Sequence, residues 1–298
     1  MKISHGLEYG FAWCMTTLVQ ILPGRLADFF AFLLGRFAYA ILASRRRIAR
    51  ENLQKAFGDA KSPGEVEEII KNVFVNTARA VVGFARQPVL NHQKVLSMIT
   101  SEGEEYVKQV YDEGKGAILI TGHFGHWELM ASWVASSGYP LDLLIGRQHN
   151  VKVDEMLISF RKALGMGVIP IGVAARGVIK ALRANRMIAV VSDQHSATGA
   201  VNVDFFGRPA ATPKGPAAFA IKVGSPIICG VLVRQGYKKH HAIITPPIYP
   251  PETDNTDEAI RIMTQEYTSR LEQFIRKYPD QWLWTHRRWK LPDPQSGD

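Results

Sequence analysis

A histidine and a glutamate stand five positions apart in the short segment Gly122–Glu128. This segment follows an apolar run, Gly116–Thr121, whose length and composition are those of a buried strand. In open α/β sheets, catalytic groups gather beyond the carboxyl ends of the strands. With His123 in the loop and Glu128 in the first turn of a helix, the carboxylate could accept a hydrogen bond from the imidazole. Such a contact would fix the tautomer of a general base and stabilise the imidazolium that it forms.

The same segment contains no serine or cysteine, so the attacking nucleophile would be a hydroxyl or an amine of the substrate. A metal site is the competing interpretation, with His123, His126 and Glu128 as ligands. Their spacing is not that of a helical histidine pair four residues apart, and no further ligand is clustered nearby. We therefore expect neither a metal nor a cofactor. The plainest alternative is that both histidines are ordinary loop residues with satisfied hydrogen bonds.

The rest of the chain supplies the elements that would hold this segment. Beyond about residue 100, short apolar runs alternate with helical stretches, which is typical of an α/β sheet with helices on its faces. Further strands are predicted at Leu141–Ile145, Val168–Ile171, Ile188–Val191, Val201–Phe205, Pro226–Val233 and His241–Thr245. Helices are predicted at Trp127–Ser137, Val153–Leu164, Ala175–Ala184, Lys214–Val223 and Asp257–Lys277.

Helices also dominate the first third of the chain. Ser62, Pro63 and Glu65 have the pattern of a capping box, which predicts a helix from this point to about Arg86. Another helix is predicted at Glu102–Glu113. The predicted parts of the chain are a hydrophobic helical membrane anchor at 1–45, a helical lead-in at 46–100 and an α/β body at 101–298, with 46–298 as one folded unit.

The anchor is predicted because the first 45 residues contain the chain's long apolar runs. Tyr9–Gly24 is sixteen residues without a charge, and further apolar runs lie within Phe29–Ser44. Neither is an ideal span of about 20 apolar residues, and Pro23 marks a break between two helices. Four arginines within Arg45–Arg50 resemble the cluster that follows a membrane segment on the cytoplasmic side. The alternative is a pair of helices buried in a large core.

The overall charge limits the classes of partner. The chain has 36 basic and 27 acidic residues, a net charge of +9, and 46% of its 298 residues are apolar. This balance favours an anionic partner: nucleic acid, a membrane surface or an acidic substrate. Cys14 and Cys229 are the two cysteines, which excludes a disulfide framework and a multi-cysteine zinc site and fits a reducing compartment.

His123-x4-Glu128 resembles the HX4E signature of the glycerolipid acyltransferase superfamily. Over nearly its whole length, the chain resembles more specifically the lipid A biosynthesis acyltransferases, the HtrB/MsbB family of late lauroyl and myristoyl transferases. HX4E alone is a weak signal, but several motifs in the same order are a strong one. The matching segments are Arg47–Leu53, His123–Glu128, Gly146-Arg147, Ser192–Gln194, Asp204–Gly207 and Pro279–Lys290.

The resemblance implies a mixed sheet flanked by helices, and an acyltransferase in which His123 is the general base and Glu128 orients it. A hydroxyl of a lipid A precursor would attack the thioester carbonyl of an acyl carrier protein conjugate (acyl-ACP) or of acyl-CoA. The implied location is the bacterial inner membrane, with the catalytic body on the cytoplasmic face. No nucleic-acid partner is expected.

Several further residues are candidates for substrate binding. Arg147 matches the family's second-block arginine and is expected near a phosphate or the oxyanion, although it could be a plain surface residue. Asp193 and Gln194 are site candidates because they end a predicted strand, although Asp193 could simply cap the next turn.

Three more positions suggest contacts with the acyl chain or with phosphate. Phe206 and Gly207 lie in a tight aromatic turn that could line an acyl-chain slot or belong to the core. Lys214 opens a helix, where free backbone N–H groups could help it to hold an anion.

The tail Trp282–Lys290 combines three tryptophans with Arg287 and Arg288. Tryptophan favours the bilayer interface and arginine binds phosphate with two hydrogen bonds, which predicts recognition of a phosphorylated lipid or its surface. In the alternative, a helix buries the tryptophans in the body and leaves the cations in solvent.

Other functions stay open at this point. The acceptor could be a lysophospholipid or another glycolipid or aminolipid. A basic nucleic-acid-binding protein would also explain the charge, but not the apolar N-terminal region. A non-catalytic membrane protein would not need His123 and Glu128 together.

Overall fold

The computed structural model describes residues 3–290 and consists of a seven-stranded sheet, a separate two-stranded hairpin and helices around them. In the described part of the chain, the strands are β1 (Ile99–Glu102), β2 (Ala117–Thr121), β3 (Leu141–Ile145), β4 (Gly167–Pro170), β5 (Met187–Val191), β6 (Ala200–Asp204), β7 (Pro209–Pro213), β8 (Ile227–Gly236) and β9 (Lys239–Ile244). The α-helices are α1 (Ile3–Ile21), α2 (Gly24–Ile41), α3 (Ala43–Phe57), α4 (Pro63–Ala85), α5 (His92–Ser97), α6 (Glu104–Asp112), α7 (Trp127–Ser136), α8 (Val151–Lys162), α9 (Ala174–Arg183), α10 (Gly215–Val223) and α11 (Thr256–Lys277).

The order of the strands in the large sheet is β1-β9-β8-β2-β5-β3-β4. The five strands from β8 to β4 are parallel, β9 is antiparallel to β8, and β1 is parallel to β9. β2 is therefore the middle strand of the seven and has a parallel neighbour on each side, β8 and β5. Thr121, the last residue of β2, pairs with Val191, the last residue of β5. The loops that follow these two strands consequently begin side by side.

β2 is central because it can be buried on both faces. All five of its residues are buried, and its side chains alternate between two layers of the core. Ile118 and Ile120 pack in the layer that contains α11, whereas Ala117 and Leu119 pack in the layer that contains α7. Burial of an isoleucine side chain stabilises the fold by about 1.5–3 kcal/mol. A strand that is apolar on both faces is typical of a parallel sheet covered by helices.

The N-terminal helices pack on the α/β body through one face of α2. Ala27, Ala31 and Gly35 are its buried residues, and a Cβ at Gly35 would lie 2.6 Å from the Cα of Val75 in α4. The small residues thus allow two helix backbones to approach closely. The opposite face of α2 exposes large apolar side chains, including Phe29 and Phe37.

Within the described residues, no single helix has the length and apolarity of a membrane span. One pair of helices passes this test together, Gly24–Ile41 with Ala43–Ala60, and it is bent by 88°. The predicted membrane anchor, and the domain boundaries at residues 45 and 100, therefore stay predictions.

The predicted α/β class and the mixed sheet are confirmed. Each predicted strand and helix is present with its ends within a few residues, and the capping box is formed: Ser62 Oγ accepts a hydrogen bond from the Glu65 N–H, and the Glu65 carboxylate accepts one from the Ser62 N–H. β1 and β7 were not predicted. β1 (ITSE) is a short, mostly exposed edge strand, and β7 begins and ends with proline, so neither shows a strand pattern.

Candidate active site

The loop between β2 and α7 contains His123, and a glycine allows this loop to pass close to the sheet. Gly125 has φ +52°, and a Cβ there would lie 1.9 Å from the carbonyl oxygen of Leu232 in β8. A larger residue would have to push the loop away from the sheet. Gly125 therefore fixes how closely the loop approaches the neighbouring strand.

Asp193 is the hydrogen-bond partner of His123. The Nδ1 atom of His123 lies 2.8 Å from Asp193 Oδ1, and the backbone N–H of His123 donates to Asp193 Oδ2 at 2.6 Å. The two residues meet because each follows the carboxyl end of one of two paired parallel strands, β2 and β5. Asp193 is buried, whereas the His123 side chain keeps 25% of its surface exposed and so remains accessible to a substrate.

A tryptophan from the C-terminal segment completes this arrangement. Trp282 Nε1 donates to Asp193 Oδ2 at 2.7 Å. The segment is fastened to the histidine loop by backbone hydrogen bonds: the Gly125 N–H donates to Gln281 O at 2.8 Å, and the Leu283 N–H donates to His123 O at 3.0 Å. Asp193 thus accepts three hydrogen bonds, which hold its carboxylate in one orientation.

The pKa values of the pair move in the directions that a base and its orienting carboxylate require. Burial lowers the pKa of His123, but the charge of Asp193, its hydrogen bond and the more distant charge of Glu128 outweigh burial and raise this pKa above its ordinary value. Burial opposes ionisation of Asp193, yet the charge of His123 and hydrogen bonds from His123 and Trp282 lower its pKa overall. Asp193 is therefore ionised, and it stabilises the imidazolium.

The predicted hydrogen bond between His123 and Glu128 is wrong. Glu128 lies in the first turn of α7 and points towards α8, where Arg161 donates from Nη2 to Oε1 at 2.5 Å and from Nε to Oε2 at 3.1 Å. Both side chains are 11% exposed, so the buried guanidinium uses both carboxylate oxygens. The ring that does contact His123 is that of Trp127, with its centroid 5.2 Å away.

His126 points to the other side of the loop. Its Nδ1 accepts a hydrogen bond from the Leu129 N–H at 3.4 Å, which caps α7. Burial, followed by electrostatic repulsion from His240 and Arg234, lowers the pKa of His126 to about 3, so the His126 ring is neutral. His123, His126 and Glu128 have separate partners and do not converge on one point.

A group that could hold a metal ion occurs elsewhere within residues 3–290. His5, Glu8 and His149 place one ligand atom each within 4.8 Å of one another at the surface. His149 Nε2 and Glu8 Oε2 are 3.2 Å apart and already hydrogen-bonded.

The other predicted site residues divide into near and distant ones. The side-chain amide nitrogen of Gln194 lies 3.3 Å from His123 Nδ1, so Gln194 belongs to the site. Arg147 is on the surface, 67% exposed, with Nη1 3.8 Å from Asp154. Lys214 is exposed at the start of α10. Arg287 is exposed as well.

Phe206 lies in the core and not along an open slot. It forms the turn of the β6–β7 hairpin with Gly207, and its ring packs against Phe57 and Trp284 at 5.5 and 6.0 Å between centroids. Arg276 stacks on the ring at 4.4 Å. The alternative that this aromatic turn belongs to the core is therefore correct.

Arg288 also has an internal role. It is 1% exposed and donates to Ala211 O and Thr212 Oγ1 in β7. Burial lowers the pKa of Arg288 to about 10, and its contacts brace the C-terminal segment against the hairpin. The prediction that Arg288 binds a lipid phosphate is wrong, and so is the interfacial location of Trp282 and Trp284, which are 3% and 0% exposed.

A narrow, largely apolar cavity adjoins the histidine loop. It lies between α7 and the sheet, and Trp127 and Glu128 form part of its wall together with apolar side chains such as Leu143 and Ala189. Sequence reasoning did not identify this cavity, Arg161 or the role of Trp282. Each depends on which elements are neighbours in space, a property that no local pattern reveals.

An HX4E loop thus follows the carboxyl end of the central strand of an α/β sheet, and it is the motif by which the chain resembles the glycerolipid acyltransferases. The family model for the bacterial lipid A biosynthesis acyltransferase matches residues 4–291, and the chain belongs to this family. The predicted family and the predicted enzyme class are confirmed.

Two kinds of relative are similar to this chain over most of its length. A phosphatidylinositol mannoside acyltransferase of Mycolicibacterium smegmatis is 25% identical over 95% of this chain and 90% of the relative. A lipid A biosynthesis palmitoleoyltransferase of Escherichia coli is 26% identical over 90% of this chain and 86% of the relative. Among solved structures, the 1-acyl-sn-glycerophosphate acyltransferase PlsC of Thermotoga maritima is 14% identical and has a TM-score of 0.38 over 84% of this chain and 97% of that one.

Proposed function

We propose that this enzyme transfers a fatty acyl chain from a thioester to a hydroxyl of a glycolipid, with a lipid A precursor as the acceptor. One observation carries the proposal: His123 is accessible to substrate while its Nδ1 is held by the buried carboxylate of Asp193. With Nδ1 held, Nε2 is the nitrogen that receives the proton of the acceptor hydroxyl.

The proposed reaction needs no side-chain nucleophile. As Nε2 takes the proton, the acceptor oxygen bonds to the thioester carbonyl carbon and a tetrahedral oxyanion forms. Collapse of this intermediate breaks the carbon–sulfur bond, and the imidazolium returns the proton to the departing thiolate. Asp193 orients the ring and stabilises its charged form throughout.

Glu128 and Arg161 form the second polar pair of the proposed site. Glu128 positions the guanidinium with two hydrogen bonds, and its negative charge adds to the field that favours the imidazolium of His123. We propose that Glu128 is a positioning residue and that it does not contact the base directly. Gln194 lies beside the imidazole and is a candidate for binding the acceptor.

The apolar cavity beside Trp127 has a volume of about 40 Å³, which holds only a few methylene groups, and it is the proposed place of the part of the acyl chain next to the thioester. Its wall begins next to the histidine loop and continues between α7 and β3, so a chain held there has its carbonyl end near His123. This assignment replaces the slot that the sequence suggested around Phe206 and Gly207.

Acyl-ACP is the donor that we propose, with acyl-CoA as the alternative. A carrier protein is acidic, and the net charge of +9 favours its approach. The exposed cations Arg147, Lys214 and Arg287 are candidates for contacts with phosphate groups of the donor or of the acceptor.

The family supports a glycolipid acceptor. Relatives are named for lipid A and for phosphatidylinositol mannoside, which are both lipids with sugar headgroups. A lysophospholipid or another aminolipid is the competing acceptor. The exposed apolar faces of α1 and α2 support membrane association, and we propose the cytoplasmic face of the bacterial inner membrane as the location.

The direct test uses membranes that contain the full chain. Labelled acyl-ACP and acyl-CoA are each supplied with a lipid A precursor, a phosphatidylinositol mannoside or lysophosphatidate, and labelled lipid products are separated. We expect transfer to a glycolipid by the wild type, and near-complete loss in His123→Ala. His92→Ala is the matched control, because His92 is exposed and its Nδ1 lies 3.0 Å from Ser136 Oγ, at the opposite end of α7 from the histidine loop.

Three results would contradict the proposal. They are an absence of transfer to any lipid, full activity of His123→Ala, and transfer to lysophosphatidate in preference to both glycolipids. Binding of duplex DNA in competition with the lipids would revive the nucleic-acid alternative.

A further inference from the structure

A second cavity lies on the opposite side of the histidine loop from His123. It is enclosed by α2, α4 and the β8–β9 hairpin, with α5 at its edge, and has a volume of about 230 Å³. Gly125 and His126 form its wall on the loop side, whereas His123, Asp193 and Trp127 do not line it. The loop therefore separates this cavity, which we call the α2–α4 pocket, from the acyl-transfer site.

Positive charge dominates the α2–α4 pocket. The described residues that line it include one acidic side chain, Asp28, and five cationic ones. The cationic residues are Arg79, Arg86, Lys94, Arg234 and Lys238. Such an excess of cations favours an anionic ligand.

The one carboxylate is shared between two arginines. Asp28 Oδ1 lies 3.3 Å from Arg79 Nε and 3.0 Å from Arg234 Nη2, and both guanidinium groups are largely buried. Burial, followed by repulsion from Arg79, lowers the pKa of Arg234. One negative charge therefore leaves a net positive charge in a poorly solvated place, which a bound anion would compensate.

A buried polar atom in the pocket also lacks a partner. His240 is 7% exposed, and within residues 3–290 its Nδ1 has no hydrogen-bond partner. Its ring lies 5.9 Å from that of His126. Burial, followed by the charge of Arg234, lowers the pKa of His240 to about 4, so a neutral imidazole faces the pocket and can donate or accept a hydrogen bond. Buried polar groups in native proteins normally have such a partner.

The remaining wall is apolar and adjoins the surface that α2 exposes. Ala27, Ala31 and Leu129 line the pocket, and the other face of the same helix carries Phe29 and Leu33 towards solvent. The guanidinium of Arg79 lies 5.9 Å from the ring of Phe32, which is partly exposed. A ligand in this position would meet cations at one end and apolar side chains at the other.

We propose that the α2–α4 pocket binds the phosphate group of an anionic lipid, at a site separate from the acyl-transfer site. Arg79 and Arg234 contact the phosphate, His240 supplies a hydrogen bond, and Lys94 and Lys238 attract the headgroup at the mouth. The acyl chains leave the pocket past the partly exposed ring of Phe32, which lies next to Arg79. This site is independent of the proposed transfer reaction, because none of the residues that would bind the phosphate contacts His123.

Calorimetric titration of the purified full chain in non-ionic detergent tests the proposal. The probes are dioctanoyl phosphatidate, dioctanoyl phosphatidylcholine and inorganic phosphate, and no acyl donor is present. We expect phosphatidate to bind at least about 10-fold more tightly than phosphate or phosphatidylcholine, because it offers both a phosphate monoester and apolar chains.

Two variants test the pocket, and two more serve as controls. Arg79→Gln removes one partly buried cation, and K94E/K238E reverses two exposed charges. Each change is expected to weaken phosphatidate binding by about 10-fold. Arg261→Gln is the control, because Arg261 is an exposed cation on α11 whose ion pair is with Glu258. His123→Ala should bind phosphatidate like the wild type whether or not acyl transfer is ever observed.

Any of four results would overturn the proposal. Phosphatidate that does not bind, or that binds K94E/K238E as tightly as the wild type, would show that the pocket is not the site. Phosphate that binds as tightly as phosphatidate would make a free anion the ligand. Loss of binding in His123→Ala would place the lipid in the acyl-transfer site.

Discussion

Asp193 receives hydrogen bonds from three directions: from the backbone and the ring of His123, and from the indole of Trp282. A carboxylate that is buried and satisfied in this way has one geometry and stays ionised. The histidine that depends on it therefore has a defined tautomer and a pKa above the usual value. The pair is the proposed general base together with the carboxylate that orients it.

Asp193→Asn should lower kcat by about 100-fold or more, because the amide neither fixes the correct tautomer nor stabilises the imidazolium. The base acts in its neutral form. In the wild type, kcat/KM should thus rise with pH through a pKa above the ordinary 6.5 of histidine, and in Asp193→Asn this limb should move to lower pH because the neighbouring negative charge is gone. Rates measured between about pH 5 and 9 check both effects. Asp254→Asn, in an exposed loop, is the control, and an unshifted acid limb in Asp193→Asn would refute the pairing.

Glu128→Ala should destabilise the protein by about 3–5 kcal/mol, because it leaves the buried guanidinium of Arg161 without its carboxylate. Its residual activity at low temperature should exceed that of His123→Ala, since Glu128 does not touch the base. Urea unfolding gives the stability, and the acyl-transfer assay gives the activity. The double variant E128A/R161M should regain part of the lost stability; a double variant that is less stable than Glu128→Ala would contradict the interpretation.

The candidate site is formed by strands that are adjacent in the sheet and not by residues that are adjacent in the sequence. β2 and β5 are about 70 residues apart in sequence, yet their last residues are paired, so His123 and Asp193 emerge side by side. The sequence predicted both strand ends, because short apolar runs are local signals. It did not predict that these two strands would be adjacent, and it therefore paired His123 with the nearest carboxylate along the chain.

Other parts of the site escaped prediction for the same reason. Trp282 and Arg288 lie in a motif that the sequence singled out, but aromatic and cationic residues in one segment suit a membrane surface as well as a core. In the structure this C-terminal segment is buried because it packs against the β6–β7 hairpin and α3. Asn52 of α3 donates hydrogen bonds to the carbonyl oxygens of Trp284 and His286. By contrast, the capping box at Ser62 is local, and its predicted geometry was correct in detail.

Gly125→Ala should lower the free energy of unfolding by about 3 kcal/mol or more, because it adds a clash with Leu232 O to the strain of a positive φ. Gly114→Ala separates the two effects: Gly114 has φ +71°, but a Cβ there meets nothing within 4 Å, so it should cost only about 1 kcal/mol. Chemical denaturation measures both. Equal losses in the two variants would mean that the contact with β8 does not constrain the loop.

The two faces of α2 have different environments, and this difference distinguishes one side of the whole molecule from the other. One side packs small residues against α4, while the other presents phenylalanine and leucine side chains to solvent together with those of α1. An amphipathic helix pair with arginines directly after it fits a bilayer interface better than a span. Membrane association and lipid entry would then occur on the same side of the protein.

F29D/F37D should weaken binding to phosphatidylglycerol vesicles by at least about 10-fold, because two aromatic side chains no longer enter the interface. Ile262→Asp is the control, because it replaces an apolar side chain by aspartate on another surface, where Ile262 of α11 is 41% exposed. This variant should bind the vesicles like the wild type. Cosedimentation with vesicles at low and high salt measures the effect. Unchanged binding by the double variant would exclude α2 as the membrane-contacting face.

The attachment of Trp282 has a consequence for the order of events during synthesis. Asp193 and the loop of His123 leave the ribosome some ninety residues or more before Trp282, which supplies the third hydrogen bond to the carboxylate. A nascent chain that has not reached Trp282 also lacks the backbone bonds between Gln281, Leu283 and the loop. In such a chain Asp193 has at most the two hydrogen bonds that His123 donates, so its carboxylate is held less firmly. The candidate site is thus complete only after nearly all of the described chain has been synthesised.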